Sequence, residues 1–143
     1  MNNKIIIING PNLNLLGERE QSQYGSTTFD QLKENCLKKG QEIGLKIEFA
    51  QSNIEGELIN KIQDVGFDFD GIILNAAAYT HTSVGIADAI RGITSPVIEV
   101  HISNTKSRED FRKKSFISPH AKGVIQGFGL YSYELAILSF LNN

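Results

Sequence analysis

The sequence predicts a doubly wound α/β fold: a five-stranded parallel sheet forms the middle of three αβα layers. Three observations carry this. Five short apolar runs alternate with segments of helical period along the 143 residues. Several of those runs are continuous rather than alternating, as strands buried on both faces require. The segments between them carry helix start and stop signals, so each strand is followed by a crossover of the right kind.

The elements follow in order. Ile5, Ile6, Ile7 and Ile8 make a first strand over residues 5–8. A polar stretch then runs to Thr28 without clear periodicity, long for a connection in a compact domain unless it works as a lid or binding loop. Gly17 and Gly25 are its candidate hinges. The first helix spans residues 29–43, with Thr28 and Gln31 as a capping box and Gly44 at its end. A strand over 46–50 follows. A helix over 54–65 then has Asn53 as its cap, Glu55 and Glu57 in its first turn, and Gly66 at its exit. The third strand covers 71–74 and the third helix about 83–91. The fourth strand covers 97–101, with a short helix after Ser107. The fifth strand covers 123–127, and a last helix over 131–141 is apolar on most sides and so largely buried. Right-handed crossovers and this length favour the flavodoxin-like strand order 2-1-3-4-5 in one domain over residues 1–143.

Composition narrows the function classes. With a formal net charge of −2, the chain offers no electrostatic case for nucleic acid or an anionic membrane. No apolar run has the length of a bilayer span, and the N-terminus lacks a signal-peptide core; the expected location is the cytoplasm. The single cysteine, Cys36, is spaced with Phe29, Leu32 and Ile43 on an apolar helix face, where it reads as a small core residue. His81, His101 and His120 have no metal-ligand spacing, so no metal site is expected.

In such sheets ligands bind beyond the carboxyl ends of the strands, where strand order reverses. Strands one, three and four then bring Asn12, Asn75 and His101 around one crevice, and the loop after strand three adds Tyr79 to Ser83. Taken alone, Tyr24 is a surface aromatic and Arg19 a solvated charge. Five positions apart on one mobile loop, they can meet, and the guanidinium then favours the phenolate. A free tyrosine ionises near pH 10, so a useful base needs a shift of roughly two units or more, on the order of 3 kcal/mol. His101 alone fits a core histidine as well as a catalyst. Glu99, two residues earlier, faces the same side of the strand, and a carboxylate beside an imidazole fixes its tautomer and supports an acid role. His81 fits positioning or capping. Ser103 and Asn104 offer backbone amides to a carboxylate, and Arg108 and Arg112 share a face of the short helix, where they either contact substrate oxygens or are simply solvated. No phosphate loop is present: GxxxxGK[ST] is absent and nothing like GxGxxG follows strand one.

Four blocks in order are similar to the type II 3-dehydroquinate dehydratase family. They are Asn9-Gly10-Pro11-Asn12-Leu13-Asn14 with Gly17-Glu18-Arg19 and Tyr24-Gly25; Ala78-Tyr79-Thr80-His81-Thr82-Ser83; Glu99-Val100-His101-Ile102-Ser103-Asn104; and Arg108-Glu109-Asp110-Phe111-Arg112. The resemblance spans essentially the whole chain. It implies a homododecamer built as a tetramer of trimers, and dehydration of 3-dehydroquinate to 3-dehydroshikimate in the shikimate pathway without metal or cofactor. It implies that Tyr24 takes a proton from C2, that Arg19 lowers the ionisation range of Tyr24, and that a water near Asn12 stabilises the enolate. His101, oriented by Glu99, then protonates the departing C1 hydroxyl. Asn75, His81, Ile102, Ser103 and Arg112 are implied as substrate-binding, with Asp88 reaching in from a neighbouring subunit.

The chain departs from that pattern in three places. Gln21 stands where proline is common, Ala76-Ala77 where Pro-Gly is common, and Ser132 where glycine is expected. A flavodoxin-like binding module without catalysis is the alternative class. A phospho-receiver would need acids where Asn9 and Asn75 stand, and a flavin carrier would need a hydroxyl- and glycine-rich loop where Pro11, Leu13 and Leu15 stand.

Overall fold

A computed structural model describes residues 3–18, 22 and 25–141. Its sheet is all parallel and has the order β2-β1-β3-β4-β5, with β1 Lys4–Asn9, β2 Lys46–Gln51, β3 Gly71–Asn75, β4 Val97–His101 and β5 Gly123–Gln126. Each expected strand is present within a residue of its expected end. Helices α1 Phe29–Ile43, α2 Glu55–Val65, α3 Val84–Arg91 and α4 Tyr131–Leu138 cover the two faces.

The alternation of side chains along β1 sorts its isoleucines between two cores. Ile5 and Ile7 pack with Leu32 and Cys36 of α1 and with Tyr133, Ala136 and Ile137 of α4. Ile6 and Ile8 pack with Leu58 and Ile62 of α2 and Ile86 and Ile90 of α3. All four are at most 2% exposed, so each contributes about 1.5–3 kcal/mol of apolar burial. Cys36 is a core residue as expected, and burial, helped by the charge of Glu134, pushes its thiol up to about 12.

The helix signals hold in part. Thr28 and Gln31 form a reciprocal capping box, and Gly44 ends α1 at φ 79°. Ser83 caps α3 by accepting from the Ile86 amide at 2.9 Å. Asn53 does not cap α2. Ile54 occupies that position, and Asn53 Oδ1 instead accepts from the Asn12 amide at 2.9 Å and Gln51 Nε2 at 3.1 Å. The local cap lost to a long-range demand, because Asn12 sits at φ 70° and turns its N–H out of the local ladder. In place of the short helix expected just after Ser107 there are 3₁₀ turns at Thr105–Ser107 and Asp110–Arg112. The last helix stops at Leu138 rather than Leu141.

The long connection after β1 is less free than its sequence suggests. A 3₁₀ turn at Leu13–Leu15 pins it, with Leu13 and Leu16 buried in the core. Gly17, at φ 87°, lies against the backbone of Ser26 and Thr27; a Cβ there would meet the Ser26 carbonyl oxygen at 2.8 Å. Gly17 and the Ser26–Thr27 backbone are therefore held in close approach.

Ala77, where the resembled family carries glycine, has φ 53°. Left-handed backbone costs an L-residue about 1–2 kcal/mol, which outweighs the roughly 0.4–1 kcal/mol of extra unfolded-chain entropy that glycine brings. Ala77→Gly is therefore expected to stabilise the protein by about 0.5 kcal/mol, read as a higher urea midpoint at unchanged m-value.

Candidate active site

A cleft of about 270 Å³ opens at the carboxyl ends of β1, β3 and β4, where the strand order reverses. Pro11, Asn12 and Leu13 wall it from the β1 side, and Asn75, Ala77, Ala78 and His81 from the β3 side. His101, Ile102, Ser103 and Thr105 come from the β4 side, with Arg108 and Arg112 from the 3₁₀ turns that follow. The structure thus brings Asn12, Asn75, His81, His101, Ile102, Ser103 and Arg112, all named from the sequence, into the lining of one cleft. No acid lines this cleft among the described residues, while two guanidiniums do, which suits an anionic ligand.

His101 ends β4, and its Nε2 lies 2.5 Å from Glu99 Oε2. Both side chains are buried, at 6% and 1% exposure. Glu99 does not line the cleft; it stands behind the imidazole. Ser118 Oγ donates to Glu99 Oε1 at 2.6 Å, and Ser115 Oγ lies 3.1 Å from both carboxylate oxygens. Burial pushes the Glu99 carboxyl up. Hydrogen bonds from His101 and Ser118, the His101 charge and the Ser115 hydroxyl outweigh it, leaving the carboxyl below its ordinary range. A charged carboxylate on Nε2 holds that nitrogen protonated and leaves Nδ1 as the other ring position.

His81 stacks near His101 with ring centroids 6.3 Å apart. Its Nδ1 donates to the Lys114 carbonyl at 2.6 Å, so the neutral ring keeps Nε2 as an acceptor. Burial lowers its ionisation range, and the charges of His101 and Arg112 add to this against the Lys114 bond and Glu99. The ring is therefore neutral at pH 7.

Among the described residues, the amide N–H groups of Ile102 and Ser103 meet no hydrogen-bond acceptor, an arrangement that suits a carboxylate. Arg108 Nη1 donates to Ser103 Oγ at 3.2 Å, and Arg112 Nε donates to Glu109 Oε2 at 3.2 Å. The two arginines reach the cleft from separate turns, not from one helix face. Spacing at i and i+4 placed them together for the wrong reason.

Arg19 and Tyr24 lie outside the described residues. Asp88 is exposed on α3, pairs with Arg91 at 3.4 Å, and lines a different hollow between α2 and α3. His120 is exposed, and no metal-binding cluster of His, Cys, Asp and Glu exists among the described residues.

Sequence reasoning missed Ser115, Ser118, Thr105 and Tyr133. A serine in a loop carries no signal of its partner, and Tyr133 sat inside an apolar run that announced only burial. Ser132, the third departure, accepts from the Phe128 amide at 3.1 Å and so holds the turn after β5.

The comparisons with known proteins agree with this geometry. Residues 3–141 match the family described as Dehydroquinase class II. The "3-dehydroquinate dehydratase 1" of Agrobacterium fabrum is 49% identical over 142 residues, covering 99% of this chain and 98% of that protein. The 3-dehydroquinate dehydratase of Prochlorococcus marinus is 51% identical over 133 residues, covering 93% and 92%. The crystal structure of type II dehydroquinase from Propionibacterium acnes superposes with a TM-score of 0.96 at 40% identity, covering 100% of this chain and 99% of that one. With the fold, the cleft and a match over nearly its whole length in agreement, the chain belongs to the class II dehydroquinase family.

Proposed function

We propose that this protein is a 3-dehydroquinate dehydratase that removes water in the anti sense through an enolate. Tyr24, ionised beside Arg19, takes the proton from C2, next to the C3 carbonyl. The electrons move into that carbonyl as an enolate, which a water near Asn12 stabilises. The enolate collapses, the C1–O bond breaks, and His101 gives the departing hydroxyl its proton. Water leaves and a conjugated enone remains. Glu99 orients the imidazole and balances its charge.

The supporting observation is the His101–Glu99 pair at 2.5 Å, buried at the edge of a cleft that carries two arginines and, among the described residues, no acid. A reaction that expels hydroxide from a carboxylated ring needs an acid, a carboxylate cradle and little competing negative charge. Ile102, Ser103 and Arg112 hold the carboxylate, while Asn75 and His81 hold ring hydroxyls. Asp88 comes from a neighbouring copy in a homododecamer, consistent with its place on an exposed helix away from its own cleft. The catalytic unit is one domain over residues 1–143, and it acts in the cytoplasm without metal or cofactor.

The direct test is to mix the protein with 3-dehydroquinate and follow the ultraviolet absorbance of the conjugated enone, with and without chelator. Absorbance that rises equally in both supports the reading. Binding without any absorbance change replaces it with a non-catalytic binding module. Arg19→Ala is expected to move the alkaline rise of kcat/KM upward by roughly two pH units, because the phenol loses the cation that favours its ionised form. A pH profile that stays in place removes Arg19 from that role.

A further inference from the structure

Beneath the cleft floor, three side chains and two backbone groups form one buried hydrogen-bond chain. Asn9 Nδ2 donates to the Ala50 carbonyl at 3.1 Å. Tyr133 Oη donates to Asn9 Oδ1 at 2.7 Å, and Asn75 Nδ2 donates to Tyr133 Oη at 2.8 Å. Asn75 Oδ1 accepts from the Ala77 amide at 3.1 Å. Asn9 and Tyr133 are 0% exposed and Asn75 is 3% exposed.

The direction of every bond in this chain is dictated by its ends. A carbonyl can only accept, so Ala50 obliges Asn9 to turn its Nδ2 that way and its Oδ1 toward Tyr133. The phenol has one proton, which goes to Asn9. Its oxygen must therefore accept from Asn75, which obliges Asn75 to turn Oδ1 toward the Ala77 N–H, a group that can only donate. The two ends demand the same orientation. Among the described residues one N–H of Asn75 Nδ2 is left over, on a residue that lines the cleft.

We propose that Tyr133 is a positioning residue that locks the Asn75 amide so that it presents a single N–H donor to an oxygen of the bound ligand. It acts from outside the cleft, on α4, through Asn75 alone. The arrangement selects a ligand oxygen at that point, a ring hydroxyl or carbonyl acting as acceptor, and rejects a ligand that offers a donor there. It also accounts for the left-handed backbone at Ala77, whose amide closes the chain. The identity of the ligand rests on the dehydratase reading; the locked orientation of Asn75 does not.

Two measurements test this together. In steady-state kinetics with 3-dehydroquinate, Tyr133→Phe is expected to raise KM about tenfold with kcat within about threefold, the pattern of a contact made equally in ground and transition states. Asn75→Ala is expected to do the same, and the double variant to be no worse than Asn75→Ala alone, since both remove one interaction. Effects that multiply, or a Tyr133→Phe enzyme of unchanged KM and lower stability, would overturn the proposal and make Tyr133 a packing residue. The second measurement needs neither substrate nor variant. In the side-chain amide NMR spectrum of the wild-type protein, one Asn75 proton is expected to be strongly protected from solvent exchange and its twin not. Equal, fast exchange of both would overturn the proposal. Wild-type protein that leaves 3-dehydroquinate unchanged would sink the dehydratase reading, and the exchange result would then decide the positioning claim by itself.

Discussion

Tyr24→Phe is expected to lower kcat by about 10²–10⁴-fold or more, because under the proposed mechanism it deletes the oxygen that takes the C2 proton while leaving the ring in place. Substrate affinity is expected to change little, since the cleft that holds the ligand is built from β1, β3 and β4 and the turns after them. The check is turnover beside calorimetric titration with 3-dehydroquinate. A Phe variant with substantial turnover would remove the phenol from the base role. The physical basis is that Tyr24 is proposed to serve the proton transfer alone, while the described residues that line the cleft lie elsewhere in the chain.

His101→Ala carries the second large expectation. Loss of the proposed acid is expected to lower kcat by about 10²–10⁴-fold. It also strands Glu99, which is 1% exposed and would keep only Ser115 and Ser118 as donors. That is expected to cost about 1–3 kcal/mol of stability at neutral pH. The sign of the pH dependence follows from Glu99. In the wild type its carboxyl ionises below the ordinary range, so the folded state holds it charged more readily than the unfolded chain does. The stability this adds is complete above the unfolded value of about 4.3 and is lost as pH falls through the lower folded value. Without the imidazole, burial dominates and the carboxyl moves up. The stability gap between wild type and variant is therefore widest near pH 7 and narrows on acidification. Urea unfolding at neutral pH and near pH 4 reads it directly. A gap that is constant with pH would mean that the pair is not an ionic one.

The strands were the most legible part of the chain. Ile5 to Ile8 can only be satisfied between two apolar layers, and a sheet so buried must be parallel with helices on both faces. The capping box at Thr28 and Gln31 was equally readable, because its partners are three residues apart. Asn53 misled for the converse reason: its local use as a cap was overridden by Asn12, which lies in a different connection. The stretch after Ser107 misled because its two arginines have helical spacing but no apolar face to dock.

The site divides along the same line. Residue types at the ends of β1, β3 and β4 were enough to nominate Asn12, Asn75, His101 and Ser103, since parallel topology places those ends at one edge. The pairing of His101 with Glu99 was visible because strands repeat every two residues. What the linear order of residues established, then, is the layered architecture, the edge at which the cleft opens and the chemical groups gathered there. The polarity of those groups came only with the folded chain: which carboxylate oxygen Ser118 touches, which nitrogen of His81 keeps its proton, and which way Asn75 turns. Hydrogen-bond direction is set by partners far apart in sequence, Tyr133 and Asn9 being 124 positions apart, and periodicity carries no information over that range.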